Sequence, residues 1–391
     1  MIKPFKFAKI PHTIFGGGNF KKLPGLIKIY GGPVLILTGR SSFRSTWQWD
    51  FLVSDLKRFS RAYYTASVGG EPSPELVDSI CSEYRTMGIS IVISIGGGSV
   101  IDTGKAVSAM LSKDGPVEDY LEGVGTKAHN GEKVPFIAVP TTSGTGSEAT
   151  KNAVISIIGE KGYKKSLRHD NFIPDIALID PELTLSCPSD ITAACGMDAF
   201  TQLLESYVST KSSLITDALA YSGLERIKNS LLSSFENGME DVKARTDMAY
   251  ASYISGITLA NAGLGVVHGF ASSIGARFEI PHGVVCGTLL GISTRVSIEE
   301  MRKKAPAAIG LLKYADIGRL FNRETGKNRD YYCDALIEFI EELTEKLKLP
   351  SLGKYGLDES KYKAIVEATE VKNNPVDLEK YDLERILKER A

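Results

Sequence analysis

The chain has 391 residues, a formal net charge of −1 and 43% hydrophobic residues. That length accommodates two domains with separate cores, and the balanced charge gives no electrostatic basis for binding nucleic acid or an anionic membrane. The five cysteines are odd in number and never occur in C-x-x-C spacing. Neither a disulfide framework nor a cysteine zinc site is indicated, and a cytoplasmic location is expected.

The first half of the chain alternates short apolar runs with amphipathic segments. Alternation of this kind is typical of an α/β domain with a parallel, Rossmann-like sheet. The pattern predicts strands and helices in turn, with strands at 33–38, 62–67, 89–95 and 135–140 and helices at 51–59 and 74–87.

A glycine-rich turn follows the strand predicted at 89–95 and opens a helix. Glycines let the backbone approach an anion closely, and the first N–H groups and the dipole of a helix favour negative charge. The spacing matches neither G-x-G-x-x-G nor the Walker pattern, and a purely structural turn is the alternative. The candidates for binding the phosphates of a nucleotide cofactor are Gly96, Gly97, Gly98 and Ser99.

A polar loop at 141–147 follows the strand predicted at 135–140. Doubly wound sheets bind ligands at the carboxyl ends of their strands, so the hydroxyl and N–H groups of this loop are suited to line a phosphate or ribose pocket. A solvated Ser/Thr turn is the alternative.

The end of the strand at 33–38 indicates which nucleotide binds. Gly39 and Arg40 stand where an acidic residue would bond the ribose 2′-hydroxyl and repel a 2′-phosphate. The acid is missing, and Arg40 and Arg44 offer positive charge to a phosphate. NADP(H) is therefore expected over NAD(H), with two ordinary surface charges as the alternative.

Beyond residue 185 long helical patterns replace the strands, so the expected domains are an α/β domain at 1–185 and an all-α domain at 186–391. No residue from Ala251 to Ala276 is charged, which raises the alternative of a membrane span. The polar Asn261 and His268 within it favour a buried helix pair instead. Helices are predicted at 190–210, 215–234, 241–260 and 334–347.

Three residues of the second half form a candidate metal site. His268 and His282 lie on a glycine-rich segment, and Asp198 shares a predicted helix face with Gln202 and Glu205 at i, i+4 and i+7. One carboxylate and two imidazoles suit a divalent ion that keeps a coordination position open. Two histidines satisfied within the core are the alternative.

Four motifs occur in the order seen in the iron-containing alcohol dehydrogenases, namely GGGSVIDTGK, VPTTSGTGSEAT at 139–150, CGMDAFTQLLESY and HGFASS with the later PHG. The chain resembles that family over nearly its full length. The resemblance implies a metal-dependent alcohol dehydrogenase or aldehyde reductase that transfers hydride between NAD(P)H and a short-chain aldehyde or alcohol. It also implies an active site in a cleft between the domains, and a homo-oligomer such as a homodimer.

The resemblance further implies roles for individual residues. Lys105 matches a family position, with a solvated helix residue as the alternative; for Lys164 the alternatives are Lys165 and a plain surface loop. The implied metal ligands are Asp198, His268 and His282, with Gln202 as the candidate for a fourth, and the implied cofactor contacts are Asp102, Thr141, Thr142, Thr145 and Lys164.

Two positions depart from the family pattern. Gln202 stands where the family usually has a further histidine ligand, and an amide oxygen is a weaker ligand for iron or zinc, so Fe²⁺ and Zn²⁺ both remain candidates. Ser272 stands where the family has the second histidine of H-x-x-x-H, so Ser272 or a water would have to carry protons.

Three other functions remain as alternatives. A 3-dehydroquinate synthase-like or a maleylacetate reductase-like enzyme would need a cluster of basic residues for its acidic substrate, and Arg277 is the one cation in the segment that carries His268 and His282. A nucleotide-binding protein whose metal site has decayed through Gln202 and Ser272 is the third.

Overall fold

A computed structural model describes residues 4–391, which divide into two compact units. The first unit comprises Ala8–Ile157 and Lys164–Cys187. The second comprises Pro188–Ala391 together with residues 158–163 and 4–7. The two short segments belong to the second unit although the sequence places them in the first domain.

The first unit is built on a parallel sheet. Its central strands are continuous apolar runs buried on both faces, which is characteristic of parallel sheets covered by helices. The strands are β1 (His12–Phe15), β2 (Val34–Gly39), β3 (Tyr63–Val68), β4 (Ile91–Gly96), β5 (Phe136–Pro140), β6 (Asn152–Ile157), β7 (Tyr163–Arg168) and β8 (Ile176–Ile179), and the helices are α1 (Leu23–Lys28), α2 (Trp47–Arg58), α3 (Pro74–Tyr84) and α4 (Gly98–Met110).

The order of strands in the main sheet is β1-β8-β5-β4-β2-β3, and every neighbouring pair is parallel. From β2 the chain proceeds to β3 on one side, whereas β4, β5 and β8 lie on the other. The carboxyl ends of β2 and β4 therefore flank the point where the direction reverses, and this is where doubly wound sheets bind ligands. The Rossmann-like parallel sheet predicted from the sequence is confirmed.

A separate two-stranded sheet of β6 and β7 was not predicted. Strand β7 carries the sequence YKKSLR, and most of its side chains are only partly buried. Because apolar alternation is weak there, the segment looks like a loop from its sequence.

The second unit is helical, as predicted. Within α11, Leu336, Ile340 and Leu343 share the buried face that the sequence periodicity indicated. The helices are α5 (Ser189–Val208), α6 (Leu214–Asn237), α7 (Val242–Ala262), α8 (Val266–Gly275), α9 (His282–Lys304), α10 (Ile309–Phe321), α11 (Arg329–Lys346), α12 (Glu359–Ala368) and α13 (Lys380–Lys388).

The uncharged segment 251–276 forms most of α7 and all of α8. Among residues 4–391 no single helix is long and apolar enough to cross a membrane. The pair α7 and α8 meets that test jointly, by length and composition, but is bent by 98° at its break. Gly263 makes that break with φ +69°, a left-handed conformation that ends α7.

Candidate functional site

Two glycines bring α9 close to α5. A Cβ atom at Gly283 would lie 2.2 Å from the carbonyl oxygen of Ala194, and one at Gly287 would lie 2.7 Å from Cβ of Met197. Any larger residue at either position would force the helices apart. The close approach lets the residues of α9 that neighbour these glycines reach Asp198 on α5.

Four donor atoms converge there, from Asp198 on α5, His268 on α8, and His282 and Cys286 on α9, all within 4.8 Å of one another. Asp198 Oδ1 lies 3.3 Å from His268 Nε2 and 3.6 Å from His282 Nε2. Ligands about 2.0–2.1 Å from a tetrahedral metal stand about 3.3–3.4 Å apart. The chemistry and the spacing of this donor set therefore fit the divalent metal that the sequence predicts.

Cys286 was missed in the sequence, although a signal for it exists. Its Sγ lies 3.7 Å from Nε2 of both His268 and His282. Cys286 stands four residues after His282, the same i, i+4 rule that grouped Asp198 with Gln202.

Gln202 contacts the cluster, but not in the manner expected of a ligand. Its amide Nε2 donates to Asp198 Oδ1 at 3.2 Å, and its Oε1 accepts from the Ser255 hydroxyl at 2.8 Å. The amide oxygen, the only metal-ligating atom of the side chain, is thus bonded to Ser255 on α7. In the structure Gln202 orients the Asp198 carboxylate, which differs from the metal-ligand role that the sequence predicts.

Glu205 holds His268 from the side opposite to Asp198. Its Oε1 accepts from the backbone N–H of Val267 at 2.7 Å, and its Oε2 lies 2.7 Å from His268 Nδ1. A Cβ atom at Gly265 would lie 3.0 Å from Glu205 Oε1, so a glycine makes room for this approach. The carboxylate fixes Nδ1 as the protonated nitrogen and leaves Nε2 available as a ligand.

The electrostatics of the cluster favour a cation. Burial opposes charge on Asp198, but the charges of His282 and His268 and two hydrogen bonds outweigh it, so the pKa of Asp198 is lowered. Burial also opposes a proton on His268, yet Cys286, Asp198 and Glu205 together raise the pKa of His268 well above its usual value. Burial raises the pKa of the Cys286 thiol to about 11. The Asp198 carboxylate is thus favoured in its charged form, which suits a cation beside its Oδ1.

Ser272, the predicted proton carrier, is exposed on α8, one turn after His268. A role in proton transfer stays a prediction.

The glycine turn (96–99) and the polar loop at 141–147, called here the threonine loop, pack against each other at the ends of β4 and β5. The space between them is the candidate cofactor crevice. The N–H of Thr141 donates to the carbonyl of Gly96 at 2.9 Å. A Cβ atom at Gly98 would lie 2.7 Å from Thr145 Oγ1, and one at Gly97 would lie 3.2 Å from Thr142 Oγ1. Glycine is thus needed for the two loops to meet. Gly97 precedes α4, and no side chain of the described residues caps that helix, which leaves its first N–H groups suited to an anion.

Asp102 and Lys105 support this crevice from beneath. The Asp102 carboxylate accepts from the Ser147 hydroxyl at 2.7 Å and from the N–H of Val154 at 2.9 Å. Lys105 is buried and donates to the carbonyls of Ser147 and Asn152 at 2.9 and 2.7 Å, so the alternative of a solvated helix residue is wrong. Both side chains hold the segment that follows the threonine loop, and direct contact of Asp102 with a cofactor stays a prediction.

Glu148 lies buried beside this network, and burial raises its pKa to about 7, against the opposing effects of its own backbone N–H and Lys105. Between about pH 4.5 and 7 the folded state retains a proton that the unfolded state has lost, so stability falls as the pH rises through that window. At about 1.4 kcal/mol per pH unit, the loss amounts to about 3–4 kcal/mol.

The variant Glu148→Gln, which stays neutral at every pH, should therefore lose less stability between pH 5 and pH 8 than the unmodified protein does. Thermal unfolding at the two pH values measures the difference. Glu75→Gln, on the exposed first turn of α3, is the matched control and should follow the unmodified protein. Identical pH dependence in Glu148→Gln would show that Glu148 does not carry the effect.

Two arginines, Arg40 and Arg44, follow the end of strand β2, next to the cofactor crevice. Arg40 is exposed after β2, with its guanidinium against the backbone of Gly69. Arg44 donates to the Thr38 hydroxyl at 2.8 Å and is anchored to the sheet. Gly39 ends β2, and the sheet order places it beside the switch point.

Lys164 lies on strand β7 and pairs with Glu71 at 3.0 Å, with only 9% of its side chain exposed. The alternative of a plain surface loop is therefore wrong for Lys164. Contact of Lys164 with a cofactor stays a prediction, and so does the alternative that Lys165 makes this contact.

A family model described as iron-containing alcohol dehydrogenase matches residues 11–181. The model of the C-terminal part of the Fe-containing alcohol dehydrogenase family matches residues 192–391.

The chain is 33% identical to long-chain-alcohol dehydrogenase 1 of Geobacillus thermodenitrificans over 374 residues, 92% of this chain and 88% of that protein. It is 30% identical to the NADPH-dependent butanol dehydrogenase of Clostridium saccharobutylicum, over 96% of each. The solved alcohol dehydrogenase from Oenococcus oeni superposes with a TM-score of 0.89 at 27% identity, over 99% of this chain and 100% of that one.

Proposed function

The chain belongs to the iron-containing alcohol dehydrogenase family and is an NAD(P)-dependent oxidoreductase of alcohols and aldehydes, and from this premise we propose its metal ligands, cofactor and substrate class. The metal is Fe²⁺ or Zn²⁺, held by Asp198, His268 and His282. The cofactor is NADP(H), and the substrate is a short-chain aldehyde or the corresponding alcohol. The observation that carries the proposal is the convergence of those donor atoms within 4.8 Å.

When bound, the metal supplies a Lewis acid for the substrate oxygen and the nicotinamide supplies or accepts the hydride. The residues of this chain have the tasks of binding and orientation. Asp198 supplies the negative charge that the two imidazoles share, at 3.3 and 3.6 Å. Glu205 keeps the proton of His268 on Nδ1, so that Nε2 stays turned toward Asp198. We assign proton transfer to the exposed Ser272 or a water beside it.

The cofactor is bound by the crevice of the first unit. The N–H groups at the start of α4 would donate hydrogen bonds to its phosphates, between the glycine turn and the hydroxyls of Thr142 and Thr145. Gly39 leaves room for a 2′-phosphate, and Arg40 pairs with it. Asp102 and Lys105 keep the loop rigid from within the fold, which preorganises the cradle before the cofactor arrives.

Nicotinamide absorbance tests the proposal. Protein stripped of metal with a chelator is reloaded separately with Fe²⁺, Zn²⁺, Mn²⁺ or Mg²⁺ and assayed with short aldehydes, using NADPH and then NADH. Metal-dependent oxidation, with the higher kcat/KM for NADPH, is the expected result. If no metal binds and none restores turnover, the metal-dependent assignment is wrong.

Arg40→Ala tests the choice of nucleotide. A charge-assisted hydrogen bond is worth about 1.5–3 kcal/mol, so kcat/KM with NADPH should fall about 10- to 100-fold while that with NADH stays unchanged. Arg58→Ala, an exposed arginine paired with Asp55 on α2, is the matched control. Equal losses with the two nucleotides would mean that Arg40 does not read the 2′-phosphate.

We also propose a cytoplasmic location and a homodimer. Support for the first is that none of the five cysteines, all of which lie among the described residues, takes part in a disulfide, as in proteins of reducing compartments. The second rests on family resemblance, and light scattering measures it directly.

A further inference from the structure

Cys286 lies inside the donor cluster, but the proposed function assigns it no role. Cys286 is fully buried on α9, one helical turn after His282. Most buried cysteines act as small apolar residues. The Sγ of Cys286 instead lies 3.7 Å from Nε2 of His282 and 3.7 Å from Nε2 of His268.

These separations match those of a metal-bound thiolate. With Zn–S of about 2.3 Å and Zn–N of about 2.0–2.1 Å, tetrahedral sulfur and nitrogen ligands stand about 3.6 Å apart. The two observed distances of 3.7 Å are close to that value, and the carboxylate-to-imidazole distances of 3.3 and 3.6 Å are close to the separation of about 3.3–3.4 Å expected between oxygen and nitrogen ligands. Four of the six edges of a ligand tetrahedron are thus matched, and the other two, from His268 to His282 and from Asp198 to Cys286, are at most 4.8 Å long.

The residue expected as the fourth ligand has a different role. The amide nitrogen of Gln202 faces Asp198, and its oxygen is bonded to the Ser255 hydroxyl. Making Gln202 a ligand would require the amide to turn and the Ser255 bond to break. Cys286 already faces the cluster, from the helix that also carries His282.

We propose that Cys286 is the fourth protein ligand of the metal, in place of Gln202. The inference rests on the proposed function, because it presumes that Asp198, His268 and His282 bind a divalent metal. Binding breaks the S–H bond, and the proton leaves to solvent as the thiolate forms its bond to the metal. No redox change accompanies this step.

A thiolate changes which metal the site prefers. Sulfur is a soft ligand that favours zinc and iron over magnesium and manganese, whereas an amide oxygen has the opposite bias. The set of one thiolate, two imidazoles and one carboxylate therefore selects Zn²⁺ or Fe²⁺ and discriminates against Mg²⁺. Four protein ligands would leave no open tetrahedral position, so binding of a substrate oxygen would require five-coordination, which zinc tolerates.

The decisive experiment is optical spectroscopy of the Co²⁺-loaded full-length protein. A cobalt–thiolate bond produces a near-ultraviolet charge-transfer band in addition to the visible ligand-field bands. The unmodified protein should show both kinds of band. In Cys286→Ser the charge-transfer band should be lost, while in Cys333→Ser, a buried thiol bonded to the Leu311 carbonyl and outside the cluster, it should remain.

The experiment distinguishes failure of the Cys286 assignment from failure of the metal site as a whole. Ligand-field bands without a charge-transfer band in the unmodified protein would overturn the Cys286 assignment and leave the metal site standing. The absence of all cobalt bands would overturn both. If Cys286→Ser does not fold, zinc X-ray absorption of the unmodified protein decides alone: one sulfur scatterer at about 2.3 Å supports the proposal, and only nitrogen and oxygen scatterers contradict it.

Discussion

Asp198→Asn is expected to release the metal and to lower kcat/KM for aldehyde reduction on the order of 10³-fold. Its Oδ1 is the atom that faces both imidazoles, at 3.3 and 3.6 Å. An asparagine would place either an uncharged oxygen or an N–H group there. Plasma mass spectrometry after gel filtration measures the metal, and steady-state kinetics measures the activity.

The effect should not be relieved by excess metal, because the variant lacks the charge that draws the cation into a buried site. Asp190→Asn, on the exposed first turn of the same helix, is the matched control and should keep both metal and turnover. Far-ultraviolet circular dichroism establishes that each variant is folded. If the Asp198→Asn protein is folded and keeps both its metal and its rate, Asp198 is not a ligand of the metal.

The order of strands and helices could be predicted because local patterns of apolar residues determine it. Continuous apolar runs produced the buried strands β4 and β5, and the 3.6-residue period produced α11. Strand β7 escaped prediction because its lysines occupy partly buried positions. The burial of such residues depends on partners distant in the chain, such as Glu71 for Lys164.

The same contrast holds within the candidate site. The spacing of Asp198, Gln202 and Glu205 placed them on one helix face, and all three belong to one connected group of hydrogen bonds. The direction of the Gln202 amide was not predictable, because it is set by Ser255, a residue 53 positions away. The role of Lys105 depends likewise on acceptors 42 and 47 positions later.

The geometry accounts for one of the two departures from the family pattern, the glutamine at position 202. A glutamine replaces a histidine at 202, and the chain has a cysteine whose sulfur faces the same cluster. Gln202 then supports Asp198 through its amide nitrogen, while α9 supplies a fourth donor. The glutamine at 202 is therefore compatible with a working metal site. It no longer supports the alternative of a nucleotide-binding protein with a decayed metal site.

Glu205→Gln is expected to weaken metal binding about 10- to 100-fold, the usual effect of changing a group that orients a ligand. Glu205 accepts from the N–H of Val267 and from Nδ1 of His268, each at 2.7 Å. A glutamine has one acceptor oxygen for these two donors. If its NH₂ group faces Val267, two donors meet; if it faces His268, Nδ1 must give up its proton.

In the second arrangement the proton of His268 moves to Nε2, the nitrogen that must bind the metal. Both arrangements therefore oppose metal binding, but neither removes a ligand or a charge from the cluster's centre. Excess metal should restore turnover in Glu205→Gln and not in Asp198→Asn, and titration of activity against free Zn²⁺ separates the two. Glu236→Gln, exposed on α6, is the control. Unchanged zinc affinity in Glu205→Gln would mean that the backbone of α8 alone orients His268.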